Sequence, residues 1–349
     1  EVQRLMSSLL SSRVIKMVLL LGGVVTLGGL VVHIGPERIY GAGMSLGAVG
    51  LVMMLVPSTV MYALDNLGWQ FTLGRHKAAV PFSRLFIIRM AGELVNATTP
   101  TAYVGGEPLK ASLLKSFSVP MADGLASVIV AKTTMTIAQI IYILLGIGLG
   151  VWILVPSRSA QADHVLGMAA AVSLGLLLFA TAMFMVIQRR GLFAFVFRVM
   201  ARCGIQITAL EARREKLLAI DYSLVGFYIR NRLSFLFSIS AFFGGWLVEA
   251  LEVYVILLYL GEPIDLVTAL SIDAIATFIK GGTFFVPGSI GAQEAGTLLL
   301  MAGYGYSDVT GMTFALLRRV RELIWIGIGL LCLAFTMQVA RLSERTNRP

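Results

Sequence analysis

The chain holds 349 residues, 57% of them hydrophobic and only 13% charged, with a mean hydropathy of +0.85. Soluble domains carry about 25% charged residues, so this composition cannot cover a water-facing surface and excludes an ordinary soluble domain. The net charge of +9 is spread through short loops between apolar runs, which suits cytoplasmic loops beside anionic lipid and argues against nucleic acid.

Apolar runs predict full membrane crossings at 15–34, 44–66, 122–154, 165–188, 232–260 and 311–339; a bilayer needs about 20 such residues. Arg13 and Lys16 ahead of the first run imitate a signal peptide. The run is long for that and no small-x-small cleavage site follows, so it reads as a spanning helix. Two regions differ in kind: 84–117 and 266–303 are short apolar arms around a Gly/Pro/Thr-rich centre. In 189–232, Phe193, Phe195, Phe197 and Met200 alternate with Arg198 and Arg202. That pattern predicts an amphipathic helix in the inner interface, with a plain solvated connector as the alternative.

Basic residues test whether the two odd regions cross the membrane or turn back within it. With a cytoplasmic N-terminus and two re-entrant hairpins, Arg4, Arg13, Lys16, Arg75, Lys77, Arg84, Lys110 and Lys115 fall inside. So do the nine Lys/Arg from Arg189 to Arg232, and Arg341, Arg345 and Arg348, which makes 20 of 28. Only Arg38 and Arg158 face out. A single crossing by each odd region would send 189–232 outward and weaken that bias. Both termini are therefore expected in the cytoplasm of a bacterial inner membrane.

An internal repeat links the odd regions. "PTAYVGGE" runs from Pro100 to Glu107 and "PGSIGAQE" from Pro287 to Glu294, each with a glutamate seven residues after the proline. Both continue through small and apolar residues to a short polar turn ("SVPMAD", "YGYSD"). A long helix follows with an early basic position, Lys132 in one and Arg318/Arg319 in the other. The expected fold is an all-α polytopic membrane protein built as an inverted repeat. Each half holds three transmembrane helices plus one re-entrant helical hairpin. The first repeat covers 1–164 with hairpin 84–117; the second covers 165–349 with the interfacial segment 189–232 and hairpin 266–303.

Bilayer physics explains the hairpin composition. Unpaired backbone groups at membrane depth cost several kcal/mol each, so irregular backbone survives only inside protein or beside a wet cavity. Gly105, Gly106, Gly281, Gly282, Gly288 and Gly291 permit close backbone approach, and Pro100 and Pro287 end the first half-helix. Asn96, Thr98, Thr99 and Thr283 can satisfy freed backbone groups. Glu107 and Glu294 begin the returning half-helices, where a carboxylate can cap N–H groups, or exchange protons or pair with a base that substrate displaces.

Arg89, Glu93, Lys132, Glu249, Glu252, Asp273, Lys280, Arg318, Arg319, Arg321 and Glu322 lie within apolar segments. Each costs about 2.5–3.5 kcal/mol to insert and so needs a partner or water. Helical spacing pairs Arg89 with Glu93 and Arg318 with Glu322 at i,i+4. Lys132 and Lys280 have no acid within one turn and are the expected ligands of an anionic group. The excess of cations favours a phosphate- or carboxylate-bearing substrate. Neither His33, His76 nor His164 belongs to an HExxH, and no GxSxG or P-loop is present. Enzyme activity, a bound metal and a cofactor are accordingly not expected. Cys203 and Cys332 read as packing residues.

The stretch "RMAGELVNATTPTAYVGGEPLKASLL" resembles the transmembrane domain of lysylphosphatidylglycerol synthases and its free-standing, flippase-like relatives. Glu93, Val95, Asn96, Pro100, Val104, Gly105, Gly106 and Glu107 are most similar to the hopanoid-biosynthesis-associated branch. "VPGSIGAQEAGTLLL" and the arginine-bearing last helix match the second signature. The resemblance implies movement or delivery of a lipid between leaflets. No aminoacyl-transfer domain is expected after Arg341.

The function expected is ATP-independent translocation of a polar-headgroup, anionic lipid through a cavity between the hairpins. The substrate-binding candidates are Arg89, Glu93, Asn96, Glu107, Lys110, Lys132, Lys280, Glu294, Arg318 and Arg319. Membrane lipids are the expected partners, with proton coupling through Glu93, Glu107 or Glu294. A homodimer and lipid-biosynthesis enzymes are further candidate partners. A secondary transporter of a small anionic solute, an intramembrane enzyme acting on a lipid phosphate, and a non-catalytic partner of a lipid-synthesis complex are the alternatives.

Overall fold

The computed structural model describes residues 35–98, 105–154, 181–202, 212–282 and 292–346, with isolated positions between 21 and 32 and between 175 and 179. The described residues include ten α-helices. They are α1 (Pro36–Thr72), α2 (Phe82–Thr98), α3 (Gly106–Leu114), α4 (Met121–Leu154), α5 (Leu192–Arg202), α6 (Arg214–Arg230), α7 (Arg232–Tyr259), α8 (Leu266–Gly282), α9 (Ala292–Gly303) and α10 (Asp308–Thr346). Four of them contain stretches long and apolar enough to cross a membrane: Met44–Thr72, Met121–Ile153, Arg232–Tyr259 and Asp308–Gln338. These coincide with four of the six expected crossings; most of 15–34 and of 165–188 lies outside the described residues.

The molecule is apolar outside and ionic inside. Trp152 and Leu331 are 73% and 72% exposed, while Glu252 and Asp273 are wholly enclosed. Such a surface is stable in lipid and not in water.

Helix limits follow local chemistry. Pro36 starts α1, and Gly47, at φ 70°, breaks its regular path just inside the apolar stretch. The α8 start is capped by Asp265, whose Oδ1 accepts from the N–H groups of Val267 at 2.8 Å and Thr268 at 2.9 Å. Those bonds, the Thr268 N–H foremost, hold the Asp265 carboxyl below its ordinary pKa. The amphipathic helix expected within 189–232 is α5. Asp221 of α6 accepts from its first N–H groups, at Phe193 (3.0 Å) and Ala194 (2.8 Å).

The two odd regions each form a pair of short helices, α2/α3 and α8/α9. The segments between them, 99–104 and 283–291, lie outside the described residues, and with them Thr99, Pro100, Val104, Thr283, Pro287, Gly288 and Gly291. Helices α2 and α3 touch at Gly92 and Gly106: a Cβ on Gly106 would stand 2.0 Å from the Gly92 carbonyl oxygen. Gly106 is therefore glycine for close approach. The conformation of Gly105, φ −63° and ψ −30°, is open to any residue. An added Cβ on Gly281 or Gly282 meets nothing within 4 Å, so no close approach requires glycine there.

Positions recur at a separation of 187 residues. Met121 begins α4 and Asp308 begins α10; Thr72 ends α1 and Tyr259 ends α7. Packing recurs with them: α4 lies on α8 as α10 lies on α2, and α3 on α4 as α9 on α10. One apolar core gathers Met54, Val253, Ile272, Met301 and Phe314 around α8/α9. A second gathers Trp69, Leu85, Leu114, Val128 and Phe242 around α2/α3. The α1–α7 pairing is the most extensive in the described molecule. It is held close by glycines: a Cβ on Gly68 would stand 2.8 Å from the Phe242 ring.

Candidate functional site

Charged side chains from eight helices, α1–α4 and α7–α10, meet inside the protein in two groups. The first lies in a cleft lined by Trp69 (α1), Arg89 and Glu93 (α2), Glu107 and Lys110 (α3), and Lys132 (α4), with Phe242 of α7 at its wall. Lys110 Nζ stands 2.7 Å from Glu93 Oε1 and 3.3 Å from Glu107 Oε1; Lys132 Nζ stands 3.2 Å from Glu107 Oε1. Asn96 organises this chain. Its Nδ2 donates to Glu93 at 3.3 Å and Glu107 at 3.1 Å, and its Oδ1 accepts from the Gly106 N–H at 2.7 Å. The amide thus ties α2 to the start of α3, as expected for a group that satisfies freed backbone. Thr98 instead donates to Leu94 within its own helix, at 2.8 Å.

Several expectations are corrected here. Arg89 does not pair with Glu93 one turn away. Its guanidinium donates to Asp65 of α1 at 2.6 Å and to the Tyr62 carbonyl at 3.1 Å, which leaves Glu93 to Lys110. Lys110, counted with the cytoplasmic basic residues and among the substrate-binding candidates, is buried and ion-paired. Lys132 has an acid after all, Glu107 from another helix. Glu107 makes no side-chain cap at the α3 start. Its Oε1 serves three donors while its buried Oε2 accepts no hydrogen bond.

The second group joins α7, α8, α9 and α10. Lys280 Nζ lies 2.6 Å from Glu322 Oε1, so it too has an acid. Arg319 reaches Glu294 through Nε at 2.5 Å and Glu322 through Nη1 at 2.6 Å. Arg318 does not pair with Glu322 at i,i+4; it donates to Asp273, which also accepts from Tyr142 of α4 at 2.8 Å. Arg321 lies 2.9 Å from Glu249 and 2.5 Å from Glu252. Apart from Glu322, which Arg319 meets within α10, the partners come from other helices, because an ion buried in a low dielectric takes the counter-ion that packing places against it.

One contact is common to both groups. Glu107 and Lys132 are 25 residues apart, as are Glu294 and Arg319, and both pairs are in contact.

The added residues change the charge count. The cleft holds Arg89, Lys110 and Lys132 against Asp65, Glu93 and Glu107, three of each sign. The second group holds Lys280, Arg318, Arg319 and Arg321 against five carboxylates, Glu249, Glu252, Asp273, Glu294 and Glu322. The cation excess expected from sequence is absent among the described residues. Sequence reasoning missed Asp65, Tyr62, Trp69 and Tyr142; a carboxylate inside the 44–66 run marks Asp65 as embedded but does not name its partner.

The cleft is narrow. It leaves about 20 Å³ for the centres of water-sized molecules, room for a water or two and for no headgroup. Lys132 and Glu93 reach its open side, with side chains 36% and 27% exposed, while Lys110 sits beneath at 6%.

A lipid-facing exterior around an ionic interior defines an all-α membrane protein. The chain belongs to the lysylphosphatidylglycerol synthase transmembrane-region family, whose model matches residues 13–329. It is also similar to a "UPF0104 membrane protein" of Methanothermobacter thermautotrophicus, 26% identical over 319 residues, covering 88% of this chain and 90% of the relative. No solved structure matches it.

Proposed function

We propose that the protein is a lipid translocase of the bacterial inner membrane that works without ATP. Its polar headgroup path runs through the α2/α3 cleft and the lipid tails stay outside. The observation that carries this is the chain Lys132–Glu107–Lys110–Glu93, enclosed at depth yet open on one side, within a protein whose outer surface is apolar. A headgroup phosphate would take Lys132 from Glu107, which exchanges one ionic contact for another and lowers the cost of entering the bilayer interior. Glu93 and Asn96 offer acceptors and donors for the rest of the headgroup. The balanced charge of the cleft suits a headgroup bearing a phosphate and does not demand a net anion.

The same reading takes α2/α3 and α8/α9 as re-entrant hairpins of an inverted repeat, with repeats 1–164 and 165–349. The 187-residue separation of the α4 and α10 starts, of the α1 and α7 ends and of Glu107 and Glu294, together with the matched packing, supports it. Both termini would then be cytoplasmic, and opening would come from one half moving against the other. A branch specific to hopanoid synthesis is an extension of the family resemblance.

Reconstitution into liposomes with headgroup-labelled phospholipids tests the reading. Flip rates well above protein-free vesicles are expected for at least one phosphate-bearing lipid. Rates equal to protein-free vesicles for anionic and zwitterionic lipids alike overturn it.

A further inference from the structure

Among the described residues the second ionic group carries one carboxylate more than it has cations, and the surplus is deep. Around Arg318 and Arg321 stand Glu249, Glu252 and Asp273. The neighbouring cations Lys280 and Arg319 are matched by Glu294 and Glu322. An unmatched charge enclosed in protein is among the most costly arrangements available.

One atom shows where the surplus can be relieved. Glu252 has no exposed surface, and its Oε1 accepts no hydrogen bond. The facing Arg318 Nε, at 3.8 Å, also lacks a partner. Asp273 is occupied by Arg318 and Tyr142, and Glu249 by Arg321. A proton added at Glu252 Oε1 displaces no existing donor, whereas one on Asp273 would. Among the described residues the groups around Glu252 are Glu249 on its own helix, Arg318 and Arg321 from α10, Asp273 from α8 with Tyr142 of α4 behind it, and Tyr62 of α1 within electrostatic reach of Arg321. A hard metal ion needs about six to eight converging oxygens. Among the described residues no His/Cys/Asp/Glu group of three or more is spaced to hold one.

We propose that Glu252 is a proton-binding site, protonated while the α7–α8–α10 cluster is packed, and that loss of this proton accompanies opening of the cluster. The first part stands on the charge geometry alone; the link to opening rests on the translocase reading. Binding moves one proton from solvent to Glu252 and leaves the cluster neutral; release restores the net negative charge and favours hydration. Proton coupling is thereby assigned to a residue on α7, away from Glu93, Glu107 and Glu294.

Infrared spectroscopy of the purified protein in nanodiscs at neutral pH is the test. A protonated-carboxyl C=O band is expected that shifts on ¹³C-glutamate labelling, loses intensity in Glu252→Gln, and keeps it in Glu249→Gln and Asp273→Asn. Absence of the band, indifference to glutamate labelling, or equal intensity in Glu252→Gln overturns the site. The labelling arm uses the unaltered chain, so the answer does not depend on a variant folding. In proteoliposomes, an imposed pH gradient should change the wild-type flip rate and leave Glu252→Gln unmoved. A wild-type rate that ignores the gradient overturns the link to opening. Lipid flip absent under every condition overturns the translocase reading instead and leaves the infrared result to decide the proton.

Discussion

Lys132 reaches across from α4 to Glu107 at the start of α3, 3.2 Å away, and this contact is the outermost link of the buried ionic chain. Lys132 is also the cation most open to the cleft. A charge-assisted hydrogen bond is worth about 1.5–3 kcal/mol, so losing it at the substrate step slows transport about tenfold or more. Lys132→Ala is expected to show that loss in the liposome assay while remaining inserted and monodisperse. Lys132→Arg, which keeps the charge, should retain most of the rate.

Arg89, in the wall of the cleft, and Asp65 form a buried pair at 2.6 Å. Breaking such a pair costs about 3–5 kcal/mol, because the survivor is left charged and unmatched. Arg89→Leu and Asp65→Leu should each lower the melting temperature in detergent. The double variant should lose less than the sum of the two. Additive losses would mean the residues act independently.

Gly106→Ala and Gly281→Ala separate close packing from mere composition. The first places a Cβ 2.0 Å from the Gly92 carbonyl oxygen, the second places one in open space. Overpacking costs about 1–3 kcal/mol, so Gly106→Ala should melt earlier. Gly281→Ala should be neutral or slightly stabilising, since alanine is the better helix former. Thermal unfolding monitored by circular dichroism distinguishes them.

Arg319 uses two different nitrogens for two carboxylates, Nε for Glu294 and Nη1 for Glu322. A lysine is a point charge and cannot hold that fork. Arg319→Lys should therefore destabilise the fold measurably, although the charge is kept. A wild-type melting temperature in that variant would show that the fork carries no weight.

Asp265 provides a pH signature outside the spanning helices. Its carboxyl is held below the ordinary value by the N–H groups it caps. The cap's contribution, about 1 kcal/mol, is full above the unfolded pKa of about 3.9. It is lost as pH falls through the lower folded value. Asp265→Ala should melt earlier than wild type at neutral pH, and the gap should close in acid.

Hydrophobic run length carried most of the fold. The runs 44–66, 122–154, 232–260 and 311–339 each correspond to a helix, because burial in lipid leaves a long unbroken signal. The two odd regions likewise separate into paired short helices. Ion pairing was not legible. Spacing along one helix offers Arg89 to Glu93 and Arg318 to Glu322, but packing supplies Asp65 and Asp273 from other helices. A sequence records which faces carry charge and not which helix will lie against them. Asp65 was passed over for that reason: one carboxylate in an apolar run gives no hint of a partner 24 residues on.

The α1–α7 seam bears on how such a molecule could move. Gly50 lies against the Tyr259 ring and Gly68 against the Phe242 ring, leaving no slack for a Cβ at either point. Backbones that close cannot part without exposing ring faces, but they can swivel about the line of contact. If the protein is the translocase proposed above, the seam is its natural fulcrum: the two paired-helix regions would swing while the midline stays put, and a bulky side chain wedged there would jam the rocker without touching a single charge.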